Sequence, residues 1–242
     1  MAETNDALCI VGDTFGTLAQ MGGVQTVSQF VRTLRSGGPV PRTLVAGQGV
    51  SAYEIEYLRA ALAGTDVEIV TSAVDRVSRH IAHKHRETNV LLADLERTGE
   101  QTYAANLRLH ADNELLQDHQ TGSHVQGIVI VEAFRQMFIA VYEAAHGLRA
   151  ARSAFVVWDT MDVRFTSFLF PLPARLTCTI VESDVTDPAR MAFQVRMDVS
   201  QCGVQAAYAG IRFAVYDHDR IRAAEDRRAV RAVAALLSEV SR

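Results

Sequence analysis

The run Gly127-Ile-Val-Ile-Val-Glu-Ala-Phe-Arg-Gln-Met-Phe-Ile-Ala-Val-Tyr142 decides how this chain must fold. Twelve of its 16 residues are apolar, and only Gly127, Glu132, Arg135 and Gln136 are not. The apolar positions ring every side instead of forming a stripe, and a helix of that kind must be buried. Sixteen residues fall short of the roughly 20 that a bilayer-spanning helix needs. The run therefore reads as a central core helix.

Outward from it the pattern changes to strands. Residues 89–96 and 101–109 flank the turn Arg97-Thr-Gly-Glu100 and form a hairpin signature. On the other side, residues 155–165, 174–183, 192–200 and 206–216 alternate or run apolar in strand fashion. The closing stretch, residues 219–240, places Val230, Val233, Leu237 and Val240 at helical spacing. Two strands, one buried helix and about four more strands describe an antiparallel sheet wrapped around a helix, the α+β architecture called the hotdog.

The N-terminal part has another rhythm. Residues 7–11, 43–46 and 67–70 are short apolar runs, separated by helix-like stretches at 26–34 and 51–63. Ser51 with Glu54 fits a capping box, and Gly64 fits the position just past a helix end. Residues 1–75 thus read as a small Rossmann-like βαβαβ unit and residues 76–242 as the hotdog domain with a C-terminal helix. Gly12-Asp-Thr-Phe-Gly16 follows the first strand, but it is not GxGxxG and no Walker lysine follows. Gly47-Gln48 stands where a ribose-binding acid belongs. The glycines are expected to turn the chain and let the unit dock on the rest, with no cofactor bound. Residues 74–86 are polar and basic and read as a solvated connector. Their His80, His83 and His85 lack a completing Cys or carboxylate set, so no metal is expected.

The 242 residues carry a formal charge of −4, with 48% hydrophobic and 21% charged residues. That composition excludes collagen-like and disordered classes. It offers no basic excess for nucleic acid or an anionic membrane. Cys9, Cys178 and Cys202 form no paired spacing, and residues 1–11 lack a signal-peptide pattern. A cytoplasmic location is expected.

Glu132 is the informative residue of the central helix, because a buried carboxylate must be paired, protonated or used. Arg135 stands at i+3, where it can form a plain structural ion pair or tune an acid or base. The loop Asp118-His-Gln-Thr-Gly-Ser-His-Val-Gln-Gly127 puts His119 and His124 ahead of the helix start. The first helix N–H groups, at Gly127 and Ile128, can polarise a thioester carbonyl, and His119 can move protons near neutral pH.

His83-Lys84 with Asn89-Val-Leu-Leu, and above all Asp118-His119-x-x-Gly122-x-His124-Val-x-Gly127 leading into Glu132-Ala-x-Arg135-Gln136, resemble the A-factor biosynthesis hotdog family of actinobacteria. The resemblance runs over roughly residues 83–215. It implies transfer of a β-ketoacyl group from acyl carrier protein, or a CoA thioester, to a small-molecule acceptor such as dihydroxyacetone phosphate, on the route to γ-butyrolactone signals. It also implies Glu132 and Arg135 as catalytic residues. His119 joins them as proton carrier, with Gly127, His124 and Gln136 at the substrate. Hotdog dehydratases are more distantly similar. Their loop histidine stands 14 residues before the glutamate, where this chain has Asp118, and their proline-rich loop is absent. Dehydration, thioester hydrolysis and non-catalytic acyl binding remain alternatives. The signalling-factor family carries two tandem hotdogs and this chain has room for one, so a homodimer is expected.

Overall fold

A computed structural model describes residues 6–117, 123–146 and 154–240. In chain order the elements are β1 (Ala7–Val11), β2 (Val24–Thr26), α1 (Val27–Arg35), β3 (Thr43–Ala46), α2 (Ala52–Ala61), β4 (Glu68–Thr71), β5 (Leu92–Arg97), β6 (Thr102–Leu107), α3 (Glu114–Gln117), α4 (Gly127–Ala145), β7 (Ala154–Phe165), β8 (Arg175–Asp184), β9 (Arg190–Gln201), β10 (Val204–Asp217) and α5 (His218–Val240). They build two sheets. The N-terminal one is parallel, in the order β2-β1-β3-β4. The larger is antiparallel, in the order β5-β6-β8-β9-β10-β7.

The antiparallel sheet encloses α4 as its apolar sequence requires. Phe134, Met137, Phe138 and Tyr142 are 0–2% exposed, and each such side chain contributes about 1.5–3 kcal/mol by leaving water. Phe138 stacks on Phe213 of β10, with ring centroids 4.6 Å apart. Phe193 of β9 stacks on Phe213 in turn, at 5.1 Å. The helix outruns its expected end and closes on His146, whose N–H donates to Tyr142 O.

In the parallel unit both helices start on capping boxes, Thr26 with Gln29 and Ser51 with Glu54. Its sheet holds one strand more than expected, β2, which pairs with β1 from Cys9 to Val11. Three residues leave almost no periodicity to read. In the hairpin the first strand starts at Leu92, three residues later than expected, because Leu91 N–H donates to the Gln136 side chain of α4 instead of to a ladder.

Docking of the two sheets explains Gly47-Gln48. Gln48 is 5% exposed. Its Nε2 donates to Leu107 O (3.0 Å) and Leu172 O (3.2 Å), its Oε1 accepts from Leu109 N (2.7 Å), and its own N–H donates to Pro171 O. Beside it Gly12 and Gly49 touch, and a Cβ on Gly12 would lie 2.4 Å from Gly49 O. These glycines serve backbone contact. Val11, Phe15 and Leu18 of the parallel unit join the core around α4. A second tie is the Asp94 carboxylate, which accepts from Val74 N, Asp75 N and Asn106 Nδ2.

The connector expected over residues 74–86 is not merely solvated. Val77 and Ala82 are 7% and 0% exposed, while His83 and Lys84 reach side chains of α4. Polar composition hid this, since two apolar anchors suffice to pin the segment. The apolar stripe of α5 has the opposite fate: Val230, Val233, Leu237 and Val240 are 56–78% exposed.

Gln48→Ala would leave Leu109 N–H without its partner inside the seam and take one donor each from the Leu107 and Leu172 carbonyls, the latter keeping Gln201 Nε2. Unsatisfied buried groups make this cost about 2–3 kcal/mol, read as a lower urea midpoint.

Candidate active site

The start of α4 borders a cavity of about 620 Å3, lined by His124, Val125, Gly127, Ile130 and residues 165–169. Val125 N–H donates to Leu169 O (2.7 Å), which ties the loop ahead of the helix to the loop between β7 and β8. A Cβ on Gly127 would lie 3.0 Å from the Phe165 ring, so the ring would have to shift to admit a side chain there. His124 lies over Phe168, with centroids 4.9 Å apart. The helix N-cap is Gln126, which makes no side-chain cap. Both its amide Oε1 and Nε2 are buried without a partner among the described residues. Such a group is costly unless something hydrogen-bonds to it.

Further along α4 stands a second group of polar side chains. Glu132 Oε2 accepts from Arg135 Nε (2.7 Å), and its Oε1 accepts from Arg135 Nη2 (2.9 Å), Lys84 Nζ (3.1 Å) and Gln136 Nε2 (2.9 Å). The three charged side chains are 17%, 21% and 24% exposed. Arg135 at i+3 and Gln136 at i+4 lie on the same helix face as Glu132 by helical geometry, and Lys84 comes from 48 residues upstream. Burial pushes the Glu132 carboxyl up. The hydrogen bonds from Arg135 and Gln136, with the charges of Arg135 and Lys84, outweigh burial and hold it below the usual carboxylate range.

Glu132 is therefore ionised at neutral pH and does not store a proton. Two cations face one carboxylate, so the cluster keeps a surplus of positive charge. On the same face His83 Nε2 lies 3.0 Å from Glu143 Oε1.

Of the residues expected at the site, Glu132, Arg135 and Gln136 form one group and Gly127 and His124 line the cavity. Glu132 is not among the lining residues. His119 lies outside the described residues. Gln136 is 0% exposed and commits its amide to Asn89 O, Leu91 N and Glu132. That places it behind the carboxylate as a strut, not at a substrate. Lys84 was missed as a partner, since nothing local distinguishes it from its basic neighbours. Gln126 gave no signal either, because its isolation is a product of packing. Among the described residues no group of three His, Cys, Asp or Glu could hold a metal ion. No helix among them is long and apolar enough to cross a membrane.

Because the folded pKa of Glu132 is depressed, its pairing stabilises the fold above the ordinary value of 4.5 and is lost as pH falls through the lowered folded value. Urea midpoints of the wild type and Glu132→Gln, compared from pH 7 to pH 3, should converge as the pH drops below 4.5.

Solved structures with a similar backbone include a conserved protein of Pseudomonas aeruginosa (15% identity, 57% of this chain and 99% of that one, TM-score 0.43). A mutant thioesterase of the same organism is also similar (11%, 67% and 93%, TM-score 0.37). So is a thioesterase of Haemophilus influenzae (10%, 71% and 94%, TM-score 0.37). No curated protein matches the chain in sequence. The family model for the A-factor biosynthesis hotdog domain matches residues 65–217, a span that encloses both the cavity and the Glu132 cluster. Covering more than half of the sequence, that match shows that the chain belongs to the A-factor biosynthesis hotdog family.

Proposed function

We propose that this chain is an enzyme of acyl-thioester chemistry that transfers a β-ketoacyl group from an acyl carrier protein or CoA to a small hydroxylated acceptor such as dihydroxyacetone phosphate. The observation that carries the reading is the family match across residues 65–217. The geometry supplies matching roles. The acyl group enters the cavity beside Ile130, and the thioester carbonyl lies against the first N–H groups of α4. Those groups and the Nε2 donor of Gln126, which has no partner among the described residues, hold the oxyanion. The acceptor hydroxyl oxygen attacks the carbonyl carbon while His119 takes the hydroxyl proton. Collapse of the tetrahedral species breaks the C–S bond, and the departing thiolate takes that proton back, leaving an ester and a thiol. Glu132 acts as the anion that fixes Arg135 and Lys84, whose surplus positive charge suits a phosphate-bearing acceptor.

Glu132 lies apart from the cavity lining of its own chain, an arrangement that suits a site shared between two copies. The second copy pairs along the edge strand β7, where Phe155, Trp158 and Phe165 are 38–54% exposed and unpaired backbone groups form a template for another strand. Membership in this family and the absence of a basic excess favour a soluble cytoplasmic setting in secondary metabolism.

The test is incubation with a β-ketoacyl thioester, with and without dihydroxyacetone phosphate, followed by assay of free thiol and mass spectrometry of the products. Thiol release that requires the acceptor, with its acyl ester as product, is expected. Release without acceptor makes the protein a thioesterase. Water loss from a β-hydroxyacyl thioester makes it a dehydratase, and ligand binding without turnover leaves an acyl-binding module. His119→Ala should lower kcat by about 100-fold or more and His124→Ala by less. Arg135→Lys should cost about tenfold or more, since a point charge does not replace the bidentate guanidinium.

A further inference from the structure

An open parallel sheet ordinarily offers its ligand crevice at the carboxyl ends of its strands. Here the gap between β1 and β3 is shut. Gly12 packs on Gly49, and a Cβ on Gly47 would lie 2.7 Å from Pro171 O. Open space appears one strand over, as a cavity of about 180 Å3 at the ends of β3 and β4. Gly47, residues 71–74 and the first turns of α2 wall it on one side, and Arg108, just past β6, closes the other. Ala73 takes a left-handed φ of 65°, and Asp94 holds the next two N–H groups. This bend turns residues 71–74 along the cavity.

Arg108 carries the argument. Its Nη1 is buried and has no hydrogen-bond partner among the described residues. The other charged side chains of the lining, Glu56 and Arg59, are paired with each other at 2.5 Å. The neighbouring Arg76 is paired with Glu87. That pair acts on Arg108 with both signs, so the lining keeps one uncompensated positive charge. A half-buried guanidinium without a partner is costly, and its planar fork matches the two oxygens of a carboxylate or phosphate. At roughly 30 Å3 per water, the cavity has space for a phosphate group or a small acid but not a nucleotide. It shares no lining residue with the larger cavity at α4.

We propose that this cavity binds a small oxyanion, a phosphate monoester or a carboxylate, on Arg108, at a site distinct from the one at the start of α4. The test is thermal melting of the full chain in inorganic phosphate or acetate, against chloride at matched ionic strength. A saturable rise in Tm of about 3 °C is expected in the wild type and in Lys84→Gln, and its loss in Arg108→Gln. A response to phosphate alone identifies phosphate as the ligand class, and a response to acetate alone identifies a carboxylate. If Arg108→Gln fails to fold, Ala52→Glu takes its place. This change sets a carboxylate at the cavity wall on the first turn of α2 and should abolish the response. Three results would overturn the proposal: no saturable shift with either anion, an unchanged shift when Arg108 or Ala52 is replaced, or loss of the shift in Lys84→Gln.

Discussion

A helix that is apolar on every face has no side to offer water, and most of this structure follows from that constraint. The six antiparallel strands curl around α4 because only a curved sheet covers so much of a helix surface. Aromatic side chains on β9 and β10 meet those of α4 in a stacked series from Phe138 through Phe213 to Phe193. The same burial makes each polar group of the helix a problem to be solved. Gln136 solves its own by bonding Asn89 O and Leu91 N, and in doing so it delays the start of the first hotdog strand and ties that segment to the helix.

Glu132 is solved differently. Four donors from three residues surround its carboxylate, two of the residues being cations. Attraction and hydrogen bonding together exceed the cost of burial, so the group is held ionised. The chemistry of this face is therefore that of a rigid, positively biased platform. In the proposed reaction, proton transfer falls to His119 in the loop ahead of the helix. A structural ion pair and a functional one have the same geometry here, because the arrangement that satisfies a buried carboxylate is also the arrangement that orients Arg135 and Lys84.

The parallel unit is held by backbone recognition as well as by the apolar contacts of Val11, Phe15 and Leu18. Gln48 uses its side-chain amide as a surrogate peptide group between residues 107–109 and 172, and the Asp94 carboxylate accepts from the N–H groups of residues 74 and 75. The glycines around Gln48 lack side chains because backbone passes within van der Waals distance of backbone. The gap between the first strand and its crossing neighbour, often used for nucleotides in sheets of this kind, is consumed by that docking.

The sequence by itself determined the central helix, the strands before and after it along the chain, the Ser51–Glu54 capping box of the N-terminal unit and the placing of Arg135 beside Glu132. Each of these rests on periodicity or on spacings of three and four residues, which the backbone geometry of one element enforces. Only the tertiary structure decided that Lys84 completes the Glu132 cluster across 48 residues of chain, and that Gln136 is a buried strut. It also decided that Gln48 is a docking residue and that Arg108 Nη1 and the Gln126 amide are left without hydrogen-bond partners among the described residues. Contacts between distant segments, and the absence of contacts, depend on how elements pack, and no local pattern of residues encodes that.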